Sequence, residues 1–134
     1  MNKGIIEAVL SEHHNTSNLF KRNLIKEYLQ ILALHFIYST EKYKGMFFYG
    51  GSCLKHCFGL PRLSEDLDFV DLKKEINLGN LSQDLIEYFK KELDIKVNTK
   101  IQKFRIYIKF PVMYELNLAN TNQSNILILK IEIF

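Results

Sequence analysis

The sequence has few of the features that mark extracellular or membrane-embedded chains. It contains two cysteines, Cys53 and Cys57, whereas secreted disulfide scaffolds use more cysteines at wider spacing. Its longest apolar stretch, residues 31–38, is interrupted by His35 and is too short to span a bilayer. The first residues lack the apolar segment of a signal peptide. We therefore expect a cytoplasmic protein that does not enter a membrane.

Proline, glycine and excess charge are also scarce. With 2 prolines and 6 glycines in 134 residues, no flexible linker divides the chain, so its length fits one compact domain. The formal net charge is +3, too small by itself to indicate nucleic-acid binding and no obstacle to a phosphate-rich ligand. Residues 1–16 are polar and irregular and are predicted to form a flexible segment, followed by a core at residues 17–134.

Apolar periodicity predicts an α+β fold in which helices pack on a mixed β-sheet. A long helix is expected from a cap at Ser17 or Asn18 to about Tyr38, with one buried stripe. A short helix follows Ser52, and a third starts at Asn80 or Ser82 and ends at Leu93. The predicted strands cover residues 46–49, 66–70, 95–98, 103–110 and 126–133, the first of them buried.

The segment Gly50-Gly51-Ser52 lies between a predicted strand and a predicted helix. Two glycines let the backbone turn sharply and leave no Cβ atom to obstruct a ligand. The first amides of a helix point outward at the positive end of its dipole, and Ser52 adds a hydroxyl group. The segment is interpreted as a cradle for a terminal phosphate. The alternative is a tight strand-to-helix turn in which Ser52 is only the helix cap.

Asp66 and Asp68 are paired acids on one predicted strand. Residues i and i+2 of a strand face the same way, about 6.5–7 Å apart, so both carboxylates can approach one cation. Oxygen ligands of this kind suit Mg²⁺, which also takes oxygens from a substrate phosphate. The alternative is a solvated strand edge with two exposed acids.

A third acid, Glu132, lies in the last predicted strand. Alternation places Leu129, Ile131 and Ile133 on one face, and Lys130 and Glu132 on the other. An unpaired charge in an apolar strand is costly, so Glu132 calls for a partner or a ligand. If this strand neighbours the one with the paired aspartates, three acids can hold two divalent ions about 3.5–4 Å apart. The spacing leaves open whether the strands are neighbours.

Taken together, these motifs resemble a known family. The run Phe48-Tyr49-Gly50-Gly51-Ser52, followed by Leu60-Pro61-Arg62-Leu63-Ser64-Glu65-Asp66-Leu67-Asp68-Phe69, closely resembles the first motif of the AbiEii/AbiGii nucleotidyltransferase toxin family, within the DNA polymerase β-like superfamily. Residues 26–32 and 129–133 also look like the family's, so the resemblance covers about residues 20–134.

The resemblance implies a polymerase-β-like core and transfer of a nucleotide from an NTP with Mg²⁺ or Mn²⁺. It implies that Asp66, Asp68 and Glu132 are the catalytic metal ligands, and that phosphate contacts come from positions matching the motif: Gly50, Gly51, Ser52, Arg62 and Ser64. Family members are toxins of toxin–antitoxin or phage-defence pairs, and some relatives act on tRNA ends. NTP, an RNA acceptor such as tRNA and a cognate antitoxin are therefore the expected partners.

The chain departs from the family in length. Members usually continue well beyond the third acid into a helical half, whereas this sequence stops two residues after Glu132. We therefore expect the N-terminal portion of such an enzyme, truncated or split. Its uncovered apolar strand face (Leu129, Ile131 and Ile133) would then favour self-association or binding of the missing half. Two functions stay open: a nucleotidyltransferase toxin, and a nucleotide- or partner-binding module without turnover of its own.

Overall fold

The computed structural model describes residues 4–59 and 66–134. Within them the chain forms four helices and five strands. The helices are α1 (Gly4–Glu12), α2 (Asn18–Tyr38), α3 (Gly50–Phe58) and α4 (Leu78–Leu93), and the strands are β1 (Phe47–Tyr49), β2 (Asp66–Val70), β3 (Asn98–Gln102), β4 (Arg105–Pro111) and β5 (Ile126–Ile133). None of the described helices is long and apolar enough to cross a membrane.

The strands form one mixed sheet in the order β1-β2-β5-β4-β3. Strands β2 and β5 are parallel neighbours, while β1–β2, β4–β5 and β3–β4 are antiparallel pairs. The last strand of the chain is thus inserted at the centre of the sheet, beside the strand that carries the paired aspartates. The predicted α+β class, with helices on a mixed sheet, is confirmed.

The hydrophobic core lies between α2, α4 and one face of the sheet. Every second residue of the three central strands points into it, which is the period-2 pattern of a sheet with one covered face. The fully buried sheet residues include Leu67, Phe69, Ile106, Ile108, Phe110, Leu129 and Ile131. Because Leu129 and Ile131 are fully buried and Ile133 is only 8% exposed, the expectation of an uncovered apolar face on β5 is wrong. The chain's own helices cover it.

The N-terminal segment also differs from its prediction. Residues 4–12, expected to be irregular, form helix α1, and Ile6 is 2% exposed in the core. A nine-residue helix with one buried side chain shows too few apolar repeats for periodicity to reveal it. Helix α2 matches its prediction: Ser17 is the N-cap, and its hydroxyl accepts a hydrogen bond from the Phe20 amide.

The starts of helix α4 and strand β3 were predicted wrongly. Helix α4 begins at Leu78, because the Asn77 side chain caps it by accepting a hydrogen bond from the Asn80 amide. Ser82, one of the predicted caps, is instead buried inside the helix and donates to the Thr99 hydroxyl. Strand β3 begins at Asn98, so Ile95 and Val97 contribute buried side chains from outside the strand.

Strand β1 occupies an edge of the sheet. It comprises three residues, and Phe47 is 59% exposed, whereas the sequence predicts a buried strand. Aromatic residues alone do not separate an edge strand from a central one.

Candidate active site

The sheet brings the three predicted acids together. Asp68 on β2 is the direct partner of Glu132 on β5, and Asp66 is the partner of Lys130, two residues along both strands. Alternation on both strands turns these four side chains to the face opposite the core, where each is half-buried. The sequence left open whether these two strands are neighbours. In the structure they are, and Asp68 and Glu132 are directly paired.

The charges on this face are closely paired. The Lys130 ammonium lies 3.2 Å from Asp66 Oδ2 and 3.2 Å from Glu132 Oε1, so it links carboxylates on two strands. Arg105 on β4 faces Glu132 from the other side, with its Nε 3.1 Å from the same Oε1 atom. The Phe104 ring lies under this guanidinium, 4.6 Å from its centre. Glu132 is thus held by two cations.

Asp68 and Glu132 differ in electrostatics although they are direct neighbours. Burial raises the pKa of Asp68, and the negative charges of Glu132 and Asp66 raise it further. Burial also acts to raise the pKa of Glu132, but hydrogen bonds from Lys130 and Arg105 outweigh it and bring the pKa below its ordinary value. Asp68 is therefore the acid with the least charge compensation.

The glycine turn packs directly against Asp68. Gly50 begins helix α3 with a φ of 84°, in the left-handed region that favours glycine. A Cβ atom at this position would lie 2.5 Å from Asp68 Oδ2. Tyr49 on β1 is the strand partner of Asp68 and is 40% exposed. Burial and the negative charges of Asp68 and Glu132 raise the pKa of Tyr49. The start of α3 and the acids thus form one continuous surface.

Ser52 has a different position from the one predicted. The sequence predicts it as the N-cap of the short helix, but the N-cap is Tyr49 and Ser52 lies inside the first turn. Its side chain is 2% exposed, and its hydroxyl donates a hydrogen bond to the Asp66 carbonyl oxygen. The helix begins at Gly50, although Gly50 keeps its positive φ, so both glycines precede Ser52 within the helix and the cap is Tyr49. Ser52 therefore fastens helix α3 to the acid-bearing strand.

The acid cluster has oxygen donors of the kind that bind a divalent cation. Carboxylate oxygens are the ligands that Mg²⁺ prefers, and the space beside Asp68 is one that a Cβ atom on Gly50 would fill. As the side chains lie, however, no three His, Cys, Asp or Glu residues of the described chain are arranged to hold a metal ion together. The carboxylates are nonetheless suitable ligands for a divalent cation. In this structure, the Lys130 ammonium lies between two of them.

Sequence reasoning located the acids and the glycine turn but not the cations among them. Alternation places Lys130 on the polar face without giving it a role. It places Arg105 on one strand face with Tyr107 and Lys109, which predicts a polar sheet face, with an RNA contact as the alternative. The strict alternation of Lys130 with Glu132 was the signal available for Lys130. Two residues that the resemblance assigns to the site, Arg62 and Ser64, lie outside the described residues.

A mixed sheet with two acids on one strand, a third acid in register on the parallel neighbour and a glycine turn beside them defines a polymerase-β-like nucleotidyltransferase fold. The sequence profile of the family described as "Nucleotidyl transferase AbiEii toxin, Type IV TA system" matches residues 35–133. The chain belongs to this family. A comparison with curated proteins gave no match.

Proposed function

We propose that this protein is a toxin that transfers a nucleotide from an NTP to an acceptor hydroxyl, with Mg²⁺ or Mn²⁺, in the cytoplasm. The observation that carries the proposal is the direct pairing of Asp68 with Glu132 on parallel strands, with Asp66 on the same face. Transfer forms a bond between the acceptor oxygen and the α-phosphorus and breaks the bond to pyrophosphate, and the hydroxyl proton passes to solvent.

Each part of the site has a proposed role. Asp66, Asp68 and Glu132 would hold the divalent cation, which supplies positive charge for the triphosphate and activates the acceptor hydroxyl. The backbone amides at the start of α3, from Gly50 to Ser52, would meet the phosphates at the positive end of the helix dipole. The absence of a side chain on Gly50 lets a phosphate approach Asp68 closely. Arg62 and Ser64 are proposed as further substrate contacts on the resemblance alone.

The acceptor is proposed to be RNA, such as tRNA, and a cognate antitoxin is proposed as the protein partner. In support of RNA, Arg105, Tyr107 and Lys109 lie at alternate positions of β4, on the same sheet face as the acids. Cations and an aromatic ring on one surface suit the phosphates and bases of a nucleic-acid strand. Family membership supports the antitoxin.

A second candidate function is a nucleotide- or partner-binding module without turnover. The contact of Lys130 with both Asp66 and Glu132 favours it, because an ammonium in that position neutralises the acids without any metal. The two candidates differ in whether a divalent cation binds to the acids.

The decisive variant is Asp68→Asn, which keeps the shape of the side chain and removes its charge. We expect Mn²⁺ binding, followed by calorimetry, to weaken at least about tenfold, and transfer of labelled nucleotide to total RNA to be lost. Stability should not fall, because burial and the negative charges of Glu132 and Asp66 already disfavour the charged form of Asp68. Glu87→Gln, an exposed acid on α4, is the matched control and should change neither property. Unchanged Mn²⁺ affinity in Asp68→Asn would refute the metal site.

A further inference from the structure

The contact between Lys130 and two acids has a particular geometry. Its ammonium reaches Asp66 on the neighbouring strand and Glu132 two residues along its own strand, at 3.2 Å from each. All three side chains are partly shielded from water, with 14–29% of each exposed. Charge pairs in such a setting are screened less than pairs in open solvent. The ammonium is therefore an integral counter-charge of the acid cluster.

The other cations of the same face do not share this position. Lys109 on β4 is the partner of Ile128, which lies two residues before Lys130 on β5. Arg105 contacts Glu132 alone among the described acids. Of the described cations on this face, Lys130 is thus the one that contacts acids on both β2 and β5.

A divalent cation bound to the same oxygens would stand beside this ammonium. Two positive charges a few ångströms apart repel each other, and the repulsion is strong where solvent screening is weak. A carboxylate oxygen that accepts a hydrogen bond from Lys130 also has less capacity left for a metal. The Lys130 ammonium and a divalent cation therefore compete for the carboxylates of Asp66 and Glu132.

We propose that Lys130 is an internal counter-ion that keeps Asp66 and Glu132 together before a divalent cation binds, and that leaves them when the cation arrives. The inference rests on the proposed function, because it requires a cation at these acids. It adds an exchange step, with Lys130 as a positioning residue whose contact with the two carboxylates ends on metal loading.

The opposite arrangement is a permanent ion pair in which Lys130 positions Glu132 as a ligand throughout. The two arrangements predict opposite effects of removing the charge. If Lys130 exchanges with the ion, its removal frees the carboxylates and tightens metal binding. If it positions Glu132 permanently, its removal releases a ligand and weakens metal binding.

The test measures Mn²⁺ binding by electron paramagnetic resonance, together with thermal unfolding in EDTA and in saturating Mn²⁺. The proteins are the wild type, Lys130→Met, Lys130→Gln and the control Lys109→Met, which removes the same charge from the same face. We expect Lys130→Met and Lys130→Gln to bind Mn²⁺ about tenfold more tightly than Lys109→Met. Both should unfold at lower temperature than the wild type in EDTA and recover this loss in Mn²⁺.

The outcomes separate this inference from the proposed function. A wild type that binds no Mn²⁺ contradicts the proposed function itself. A wild type that binds Mn²⁺, with Lys130 variants that bind it equally or more weakly than Lys109→Met, overturns the exchange and leaves the proposed function intact. Variants that fold in Mn²⁺ but not in EDTA support exchange, since the ion then replaces the ammonium. Variants that fold in neither condition show that Lys130 is a permanent part of the fold and overturn the inference.

Discussion

Gly50 and Asp68 are packed so closely that a Cβ atom on Gly50 would lie 2.5 Å from Asp68 Oδ2. The contact joins the start of helix α3 to the acid with the least charge compensation. Glycine is required there twice, once for space and once for the backbone φ of 84°. A substitution at Gly50 therefore has two effects, strain in the backbone and displacement of Asp68.

Gly50→Ala should lower stability and displace the Asp68 carboxylate. A residue with a Cβ atom in the left-handed region costs about 1–2 kcal/mol, and the collision with Asp68 adds to that. Mn²⁺ binding should weaken as well, because Asp68 must turn away to make room. Urea unfolding gives the stability, and calorimetry gives the Mn²⁺ affinity.

Gly59→Ala is the matched control for this experiment. Gly59 ends helix α3 with a φ of 69°, and a Cβ atom there would meet nothing within 4 Å. It should therefore carry the backbone strain of about 1–2 kcal/mol with unchanged Mn²⁺ binding. If both variants lose the same stability and neither loses Mn²⁺ affinity, the contact between Gly50 and Asp68 has no part in the site.

Ser52→Ala should loosen the junction between α3 and β2. The Ser52 hydroxyl is buried and donates to the Asp66 carbonyl oxygen, and losing one such bond costs about 1 kcal/mol. Hydrogen exchange of the β2 amides should accelerate, because the strand loses a fixed neighbour. Ser52→Thr keeps the hydroxyl and should restore the slow exchange that Ser52→Ala loses. Wild-type stability and exchange in Ser52→Ala would show that the hydrogen bond does not hold the strand.

The two acid-bearing strands could be predicted from the sequence to the residue. Strands β2 and β5 have the predicted bounds of residues 66–70 and 126–133, because alternating apolar side chains record which face of a strand meets the core. Their pairing could not be predicted, since register between distant segments depends on the whole sheet. The same limit applies to Lys130 and Arg105, whose roles are set by cross-strand neighbours.

The coverage of β5 was the larger error, and it has a physical cause. The sequence shows that Leu129 and Ile131 need a covering layer, but not which segment supplies it. Helix α2 packs on β5 in the structure, and α4 packs beside it on β3. The apolar spacing of α2 predicts Leu32 and Phe36 in its buried stripe. Both are partly buried against the core, while the next residues, Ala33 and Ile37, are fully buried.

Helix α3 is also held to α2 by polar contacts. His56 Nε2 donates to the Gln30 side-chain oxygen at 2.9 Å, and Gln30 is fully buried. The Lys55 ammonium on α3 lies 3.8 Å from Oε1 of Glu27, which is on α2 like Gln30. Burial lowers the pKa of His56, an effect that Glu27 opposes and Lys55 reinforces. Helix α3, which begins with the glycine turn, is thus joined to α2 through a histidine whose pKa lies below its ordinary value.

Stability should consequently decline in mildly acidic solution through His56. The pKa of His56 is about 6.5 in an unfolded chain and lower in the folded protein, so the unfolded state binds more protons between these two values. The free energy of unfolding then falls as the pH is lowered from about 6.5 toward the folded pKa. Urea unfolding at about pH 7.5 and about pH 5.5 measures this loss. His56→Gln should lose less stability between the two conditions than the wild type, whereas His35→Gln, on the exposed face of α2, should behave as the wild type does. An equal loss in His56→Gln and the wild type would place the acid sensitivity elsewhere in the chain.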